Sequence, residues 1–453
     1  AEQWSRHPFA RDSAPFILRK MGDGSGPTLL VIGGIQGDEP GGFSAAALLA
    51  SHYRILSGNV WVVPDLNFPS ILERHRGIFG DMNRKFAALD PGDPEFATIK
   101  AIKAVLLSEP VDLVLNLHDG SGFYRPTWED ALRNPKRWGQ SVIIDQEEME
   151  APGFNMLFET AGFVESEVNR ALLDPVHRYH TYNTLTAEGN KEMAKTLSWF
   201  AVCNGKPAFG IEASKEVSTE YRAYYHLNVI EAFMRRMDIA FERDFPLNPA
   251  GVTGALNSGL ALTAFEGRLA LELDNVRPVL NHVPFKIKAA PEERASKPLL
   301  ALVPDKRRGD WRVAYGNRTL TRLNPDYMEF DDSLTHVDLL VDGQPQRAAM
   351  GEVVNVARSF KVQELEGYRV NAIGAQKELK GTEAGVLLKH ADFMPRFSLD
   401  KNATLFRVEL YKGKAFAGML LVRFGDGPHR PGPAFPESKP LTATQGRESD
   451  LGL

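Results

Sequence analysis

The chain has 453 residues, 43% of them apolar and 25% charged, a length that predicts roughly two to four domains and a balance that excludes collagen, coiled coil and low-complexity polymer. Its 53 lysines and arginines face 58 aspartates and glutamates for a net charge of −5, so no global field draws nucleic acid or anionic lipid to it. No apolar run approaches the ~18 residues of a membrane span, so no transmembrane segment is expected.

From the amino end, the first residues Ala-Glu-Gln lack a basic region followed by an apolar one; this fits a cytoplasmic protein or a mature exported one whose signal has been removed. Residues 28–33, 59–64, 111–117 and 207–211 are short, apolar and rich in β-branched residues, as buried parallel strands are. Between them lie helical candidates at 41–53, 94–108, 156–173, 190–203 and 218–240, with Pro40 suited to the first position of the first helix. The alternation predicts an α/β domain, a sheet covered by helices on both faces, over residues 1–243. Cys203, the single thiol, sits in the apolar run Trp199-Phe200-Ala201-Val202-Cys203 and reads as a core residue; alone it supports no intrachain disulfide, Cys-ligated zinc or iron–sulfur cluster.

Past residue 245 the pattern changes to apolar runs separated by Gly, Asn and Asp, at 259–264, 268–274, 298–303, 335–341, 351–357, 360–363, 404–411 and 415–423. These predict two small all-β domains, at 244–325 and, sandwich-like, at 326–426. Val341-Asp342-Gly343-Gln344 is a hairpin signal. Residues 427–453, with five prolines and little apolar content, read as a flexible tail.

The chemistry concentrates at strand ends. The first strand runs into Gly33-Gly34-Ile35-Gln36-Gly37-Asp38-Glu39-Pro40, the third into Leu115-Asn116-Leu117-His118-Asp119-Gly120, and strand 207–211 delivers Glu212. In an open α/β sheet, ligands bind beyond the carboxyl ends of the strands, so Gln36, Glu39, His118 and Glu212 are expected to converge. Each is weak alone, since a strand-end histidine or glutamate is usually structural.

Together these spacings resemble the zinc carboxypeptidases of the carboxypeptidase A-like family. That family takes two zinc ligands from a His-x-x-Glu turn, a third from a later strand-end histidine, and a base from a glutamate ending a late strand. The resemblance implies a zinc site of Gln36, Glu39 and His118 with Glu212 as base, Gln36 standing where the family has histidine. It further implies that Asn83 and Arg84, in Asp81-Met82-Asn83-Arg84-Lys85-Phe86, grip the substrate's terminal carboxylate and that Arg76 stabilises the transition state. The catalytic tyrosine has two candidates, Tyr179 and Tyr182. With Asn134-Pro135-Lys136-Arg137-Trp138-Gly139 and Ile143-Ile144-Asp145-Gln146, the chain is similar to the cell-shape-determining murein DL-carboxypeptidases of helical bacteria.

That likeness implies a periplasmic enzyme, a carboxypeptidase domain followed by two β domains, that removes meso-diaminopimelate from the end of a murein tripeptide. Trp138, next to Lys136-Arg137, is a candidate to line the pocket, and a single tryptophan there fits the core equally. Two charge-rich segments fit an acidic substrate: four cations against two carboxylates in 73–86, and again in 125–138. Two other readings stand beside it. One is a zinc N-acyl amino acid deacylase on the same catalytic fold. The other is a cell-wall-binding protein whose metal site glutamine has weakened; the retained Glu212 argues against it, since a binding module has no need of a base.

Overall fold

The computed structural model describes residues 15–377 and 381–425, and the backbone of Trp4–Ser5; the tail expected over 427–453 lies outside the described residues. A seven-stranded sheet forms the amino-terminal half. Across it the strands run His180–Asn183, Ser141–Ile144, Ala208–Ser214, Leu113–Gly120, Thr28–Ile32, Asn59–Val63 and Arg19–Gly22. The four strands from Ala208–Ser214 to Asn59–Val63 are mutually parallel. Ser141–Ile144 lies antiparallel against Ala208–Ser214, and Arg19–Gly22 antiparallel against Asn59–Val63, so the sheet is mixed.

Thr28–Ile32 and Asn59–Val63 are buried along their whole length, which is why their sequences read as unbroken apolar runs without alternation. Helices Pro40–His52 and Leu157–Val168 both pack on Thr219–Arg236, while Leu197–Cys203 packs on Leu113–Gly120 and Ala208–Ser214. Pro40 occupies the first turn of its helix, where a missing N–H costs nothing. Cys203 is exposed rather than buried: it is the last residue of its helix, turned away from the face that Ala201 and Val202 bury.

A helix, Pro249–Asn257, follows and packs against Pro40–His52 and Thr219–Arg236, so the change to β structure comes after it. Two β regions complete the chain. In the first, Ala261–Ala264, Leu269–Glu272 and Arg294–Ala295 form one sheet with Trp4–Ser5; Val279–Lys286, Leu300–Asp305, Asp310–Tyr315 and Arg318–Met328 form another. The boundary expected near residue 325 falls inside Arg318–Met328, which pairs with Val279–Lys286 through Met328, so the break between sheets follows that strand. In the second region, three-stranded and four-stranded sheets enclose an apolar cluster of their own, from Leu334 to Phe424. Asp342 and Gly343 make the expected tight hairpin between His336–Val341 and Gln344–Ala349, both at positive φ.

The first β region also bears on the site. Arg312 donates from both terminal nitrogens to the Leu72 carbonyl, each at 3.1 Å, and pairs with Glu73 at 3.1 Å; Arg74 donates to the Asn317 carbonyl. These bonds pin the segment that leads into Arg76. Among the described residues no helix is long and apolar enough to cross a membrane.

Candidate active site

Gln36 and Glu39 lie in the turn between Ile32 and Pro40. That turn needs Gly34 at φ 77°, a conformation open to glycine at no steric cost. Glu39 caps the Pro40–His52 helix without bonding its backbone; the side chain reaches across to His118 instead. His118 and Glu212 face each other in register on adjacent parallel strands. Gly120 makes room here, since a Cβ on it would lie 2.5 Å from the Trp138 Cβ and 2.8 Å from a Glu212 carboxylate oxygen.

Three buried donors meet at one point. His118 Nδ1 lies 2.9 Å from Gln36 Oε1 and 3.1 Å from Glu39 Oε2. The three residues are only 6%, 2% and 4% exposed. The Gln36 amide nitrogen donates to Asp81 Oδ1 and Oδ2 at 2.9 and 3.0 Å, so its oxygen is the atom turned to His118. Bonds of ~2.1 Å to a tetrahedral ion set neighbouring donors about 3.4 Å apart; the observed separations are close to that edge, and the donor set of imidazole, carboxylate and amide oxygen fits a divalent metal. Among the described residues, no group of three or more histidine, cysteine, aspartate and glutamate side chains converges in a way that could hold a metal. This trio reaches three donors only because Gln36 is one of them.

Charged groups surround the trio. Arg76 donates to Glu39 Oε1 at 3.1 Å and to Asp81 Oδ2 at 3.0 Å, and the Lys215 ammonium stands 3.5 Å from both Asp38 and Glu39. Burial raises the pKa of Glu212 well above the usual carboxylate range, helped by Glu39 and Asp119 and opposed by Lys215 and Arg76. Behind the site Asp119, fully buried, accepts from the Gly41 N–H at 2.8 Å and Arg222 at 2.9 Å and pairs with His226 at 3.2 Å. Burial pushes its carboxyl up, but these partners outweigh it and hold the group below its ordinary pKa.

Gln36, Glu39, Arg76, Asn83, Arg84, His118, Trp138 and Glu212 all line one cavity of about 300 Å³. Asn83 is held by its Oδ1, which accepts from the Leu197 N–H at 3.0 Å. Arg84 donates to the Asn83 carbonyl at 3.1 Å and stands 3.8 Å from the exposed Glu192; with no further hydrogen bond among the described residues, much of its fork is uncommitted. Trp138 packs against Tyr182 with ring centroids 5.0 Å apart.

Neither candidate tyrosine lines the cavity. Tyr179 is fully buried against Tyr225, and Tyr182 stacks on Tyr124 at 4.2 Å. Three of the four cations of 125–138 are taken up by protein groups: Arg125 is buried on the Tyr124, Val176 and Arg178 carbonyls, Arg133 is paired with Asp130, and Arg137 donates to the Ala131 carbonyl, while Lys136 is exposed. Arg133 and Arg137 order their own loop. Three residues with roles in the site escaped the sequence reading. Asp81 and Asp145 stand in the motifs around Asn83 and Ile143 but carried no role there, and Lys215 gave no signal beyond lying three residues after Glu212.

Residues 14–257 match the family described as the catalytic domain of carboxypeptidases controlling helical cell shape, and residues 330–425 match a C-terminal domain of metallo-carboxypeptidases. Among solved structures, the chain is 42% identical to the apo cell shape determinant protein Csd4 of Helicobacter pylori, covering 90% of this chain and all of that one with a TM-score of 0.85. The mDAP-bound form of Csd4, described as a D,L-carboxypeptidase, matches at 43% identity with the same coverage and TM-score, and a tripeptide-bound form at 42%. A curated relative, the N-alpha-acetyl-L-2,4-diaminobutyric acid deacetylase of Halomonas elongata, is 36% identical over 105 residues, 21% of this chain. That match spans only 30% of the relative's length.

Proposed function

The chain belongs to the family of carboxypeptidases that control helical cell shape, and from that premise we propose that it is a periplasmic zinc enzyme whose metal is held by Gln36, Glu39 and His118. It is a metallocarboxypeptidase acting on murein peptide, from which it removes terminal meso-diaminopimelate. The observation that carries the metal assignment is the meeting of the Gln36 and Glu39 oxygens within 3.1 Å of one histidine nitrogen, in a cavity that also holds an uncommitted arginine and a buried glutamate.

When bound, zinc supplies an electrophile for the scissile carbonyl and lowers the pKa of water toward ~7. The chain's own residues do the rest. Glu212 takes the proton of the attacking water on its carboxylate and passes it to the leaving amine nitrogen. Arg76, fixed by its bonds to Glu39 and Asp81, presents its guanidinium to the oxygen on which negative charge develops. Arg84 offers two parallel N–H groups to the terminal α-carboxylate, with Asn83 beside it. This clamp makes the enzyme an exopeptidase, and Trp138 walls the pocket. A neutral amide oxygen is a weaker donor for zinc than imidazole, so the metal is held less tightly than in a His-x-x-Glu site.

Product analysis tests this reading. Incubated with murein tripeptide and, separately, with N-acyl amino acids, the zinc-loaded enzyme should release free diaminopimelate from the first and leave the second largely intact. Deacylation with an untouched tripeptide would replace the peptidase by a deacylase, and no turnover of either would leave a binding protein.

A further inference from the structure

The cavity contains a buried carboxylate, Asp145, that the proposed chemistry leaves idle. Asp145 follows the Ser141–Ile144 strand, lines the same cavity as Arg84 and Glu212, and is 1% exposed. Its Oδ1 accepts from the hydroxyls of Thr184, at 3.3 Å, and of Thr186. Among the described residues no donor is bonded to Oδ2, and no lysine, arginine or histidine forms an ion pair with the group. Burial raises its pKa, and the two threonines oppose that only in part. Burying a carboxylate without a counter-charge is costly, and a cavity wall is where a ligand can supply one.

The neighbouring wall brings it no counter-charge. Gly210 also lines the cavity and shares a strand face with Glu212; a Cβ on it would lie 3.3 Å from the Ile143 Cβ, so this stretch of wall is glycine against isoleucine and carries no charge. Ser198 and Thr196 complete that part of the lining without charge. The cavity's other carboxylates have cations at hand, Glu39 beside Arg76 and Lys215, Asp119 beside Arg222, and Glu212 under the influence of Lys215 and Arg76; Asp145 is the lining carboxylate without one among the described residues.

We propose that Asp145 is a specificity-determining residue that receives an ammonium group on the side chain of the residue whose α-carboxylate Arg84 grips. The assignment rests on the carboxypeptidase reading and deepens it: the preferred leaving residue is a diamino acid, and a residue of equal length without the second amine fits the pocket but leaves Asp145 unpaired.

The test compares L-lysine with L-norleucine, which differ in the side-chain ammonium. Calorimetry on the zinc-loaded enzyme measures the binding of each free amino acid, and hydrolysis of L-Ala-γ-D-Glu tripeptides ending in either residue measures kcat/KM. The wild type should favour lysine by at least about tenfold in both, as a charge-assisted bond to a buried group gives. Asp145→Asn, which keeps an acceptor oxygen for the threonines, should bring the ratio to within about twofold. Equal binding of the two amino acids by the wild type, or a preference that survives in Asp145→Asn, overturns the proposal. The wild-type comparison decides even if the variant fails to fold. Failure of the carboxypeptidase reading looks different: neither peptide is cleaved while the binding preference for lysine persists.

Discussion

The Gln36 amide nitrogen bonds both carboxylate oxygens of Asp81, at 2.9 and 3.0 Å, and this pairing fixes which end of the amide faces His118. The same carboxylate accepts from Arg76 Nε at 3.0 Å and from the Asn83 backbone N–H at 3.0 Å. One aspartate thus orients a proposed metal ligand, the oxyanion arginine and the start of the carboxylate clamp. Asp81→Ala should weaken zinc binding by about 10–100-fold, the usual cost of losing a group that orients a ligand, as read by chelator competition. Gln36→His should keep or tighten the metal, because imidazole is the better donor and its other ring N–H can still donate to Asp81. An Asp81→Ala protein that competes with chelator as the wild type does would remove Asp81 from the site.

Glu212 is the proposed base. Glu212→Gln should keep fold and zinc while lowering kcat by several orders of magnitude, and near-normal turnover would take Glu212 out of the mechanism. Lys215 is one of two cations that pull the Glu212 pKa down against burial. Replacing it by methionine raises that pKa further, so the base is protonated at higher pH. The acid limb of the kcat/KM profile should therefore move to higher pH in Lys215→Met. A limb that stays in place contradicts the assignment of that ionisation to Glu212.

Among the described residues the Arg84 side chain has one hydrogen bond, at 3.1 Å, and one long ion pair, at 3.8 Å, which leaves most of its fork to a ligand. A C-terminally amidated tripeptide leaves the guanidinium without its partner, a loss of roughly 2–5 kcal/mol and at least about tenfold in kcat/KM. Arg84→Ala should abolish the discrimination between acid and amide. Equal cleavage of both by the wild type would mean that no carboxylate clamp operates.

Asp145 also predicts a stability effect. Burial raises its folded-state pKa, so the folded protein holds that proton more tightly than the unfolded chain. Below the unfolded pKa of about 3.9 both states are protonated and nothing is lost. As pH rises past it, the unfolded state ionises more readily and folding stability falls. Asp145→Asn escapes this, so thermal denaturation should show it more stable than the wild type at pH 7, with the gain vanishing below about pH 4. A variant less stable at pH 7 would show that the carboxylate is not strained.

The strands that carry the chemistry were legible because burial on both faces makes Thr28–Ile32, Leu113–Gly120 and Ala208–Ser214 largely apolar, Asn116 being the one polar residue inside such a run, until a polar strand end. The outer strands were not. His180–Asn183 is polar and half-buried throughout, and Ser141–Ile144 has four residues, so neither has a periodicity to read. Pro249–Asn257 hid behind Gly251 and Gly254, poor helix formers, and rests on the Asn248 cap and on tertiary packing. The spacing around Gln36, Glu39, His118 and Glu212 marked residues that one cavity brings together. Asp81 and Asp145 depend on pairings 45 and about 40 residues apart in the chain, which only the folded backbone reveals. In the basic loop at 125–138 three of the four cations serve the protein itself, Arg133 and Arg137 within the loop and Arg125 on the Val176 carbonyl 51 residues away, pairings that composition does not reveal.

The metal content of purified wild-type and His118→Ala protein, measured by elemental analysis alongside circular dichroism, tests the central claim most directly. His118 Nδ1 is the atom at which Gln36 and Glu39 meet, so removing it leaves two oxygen donors and no nitrogen. One zinc per wild-type chain is expected, with a strong loss in a variant that keeps its fold; stoichiometric zinc in folded His118→Ala would contradict the assignment.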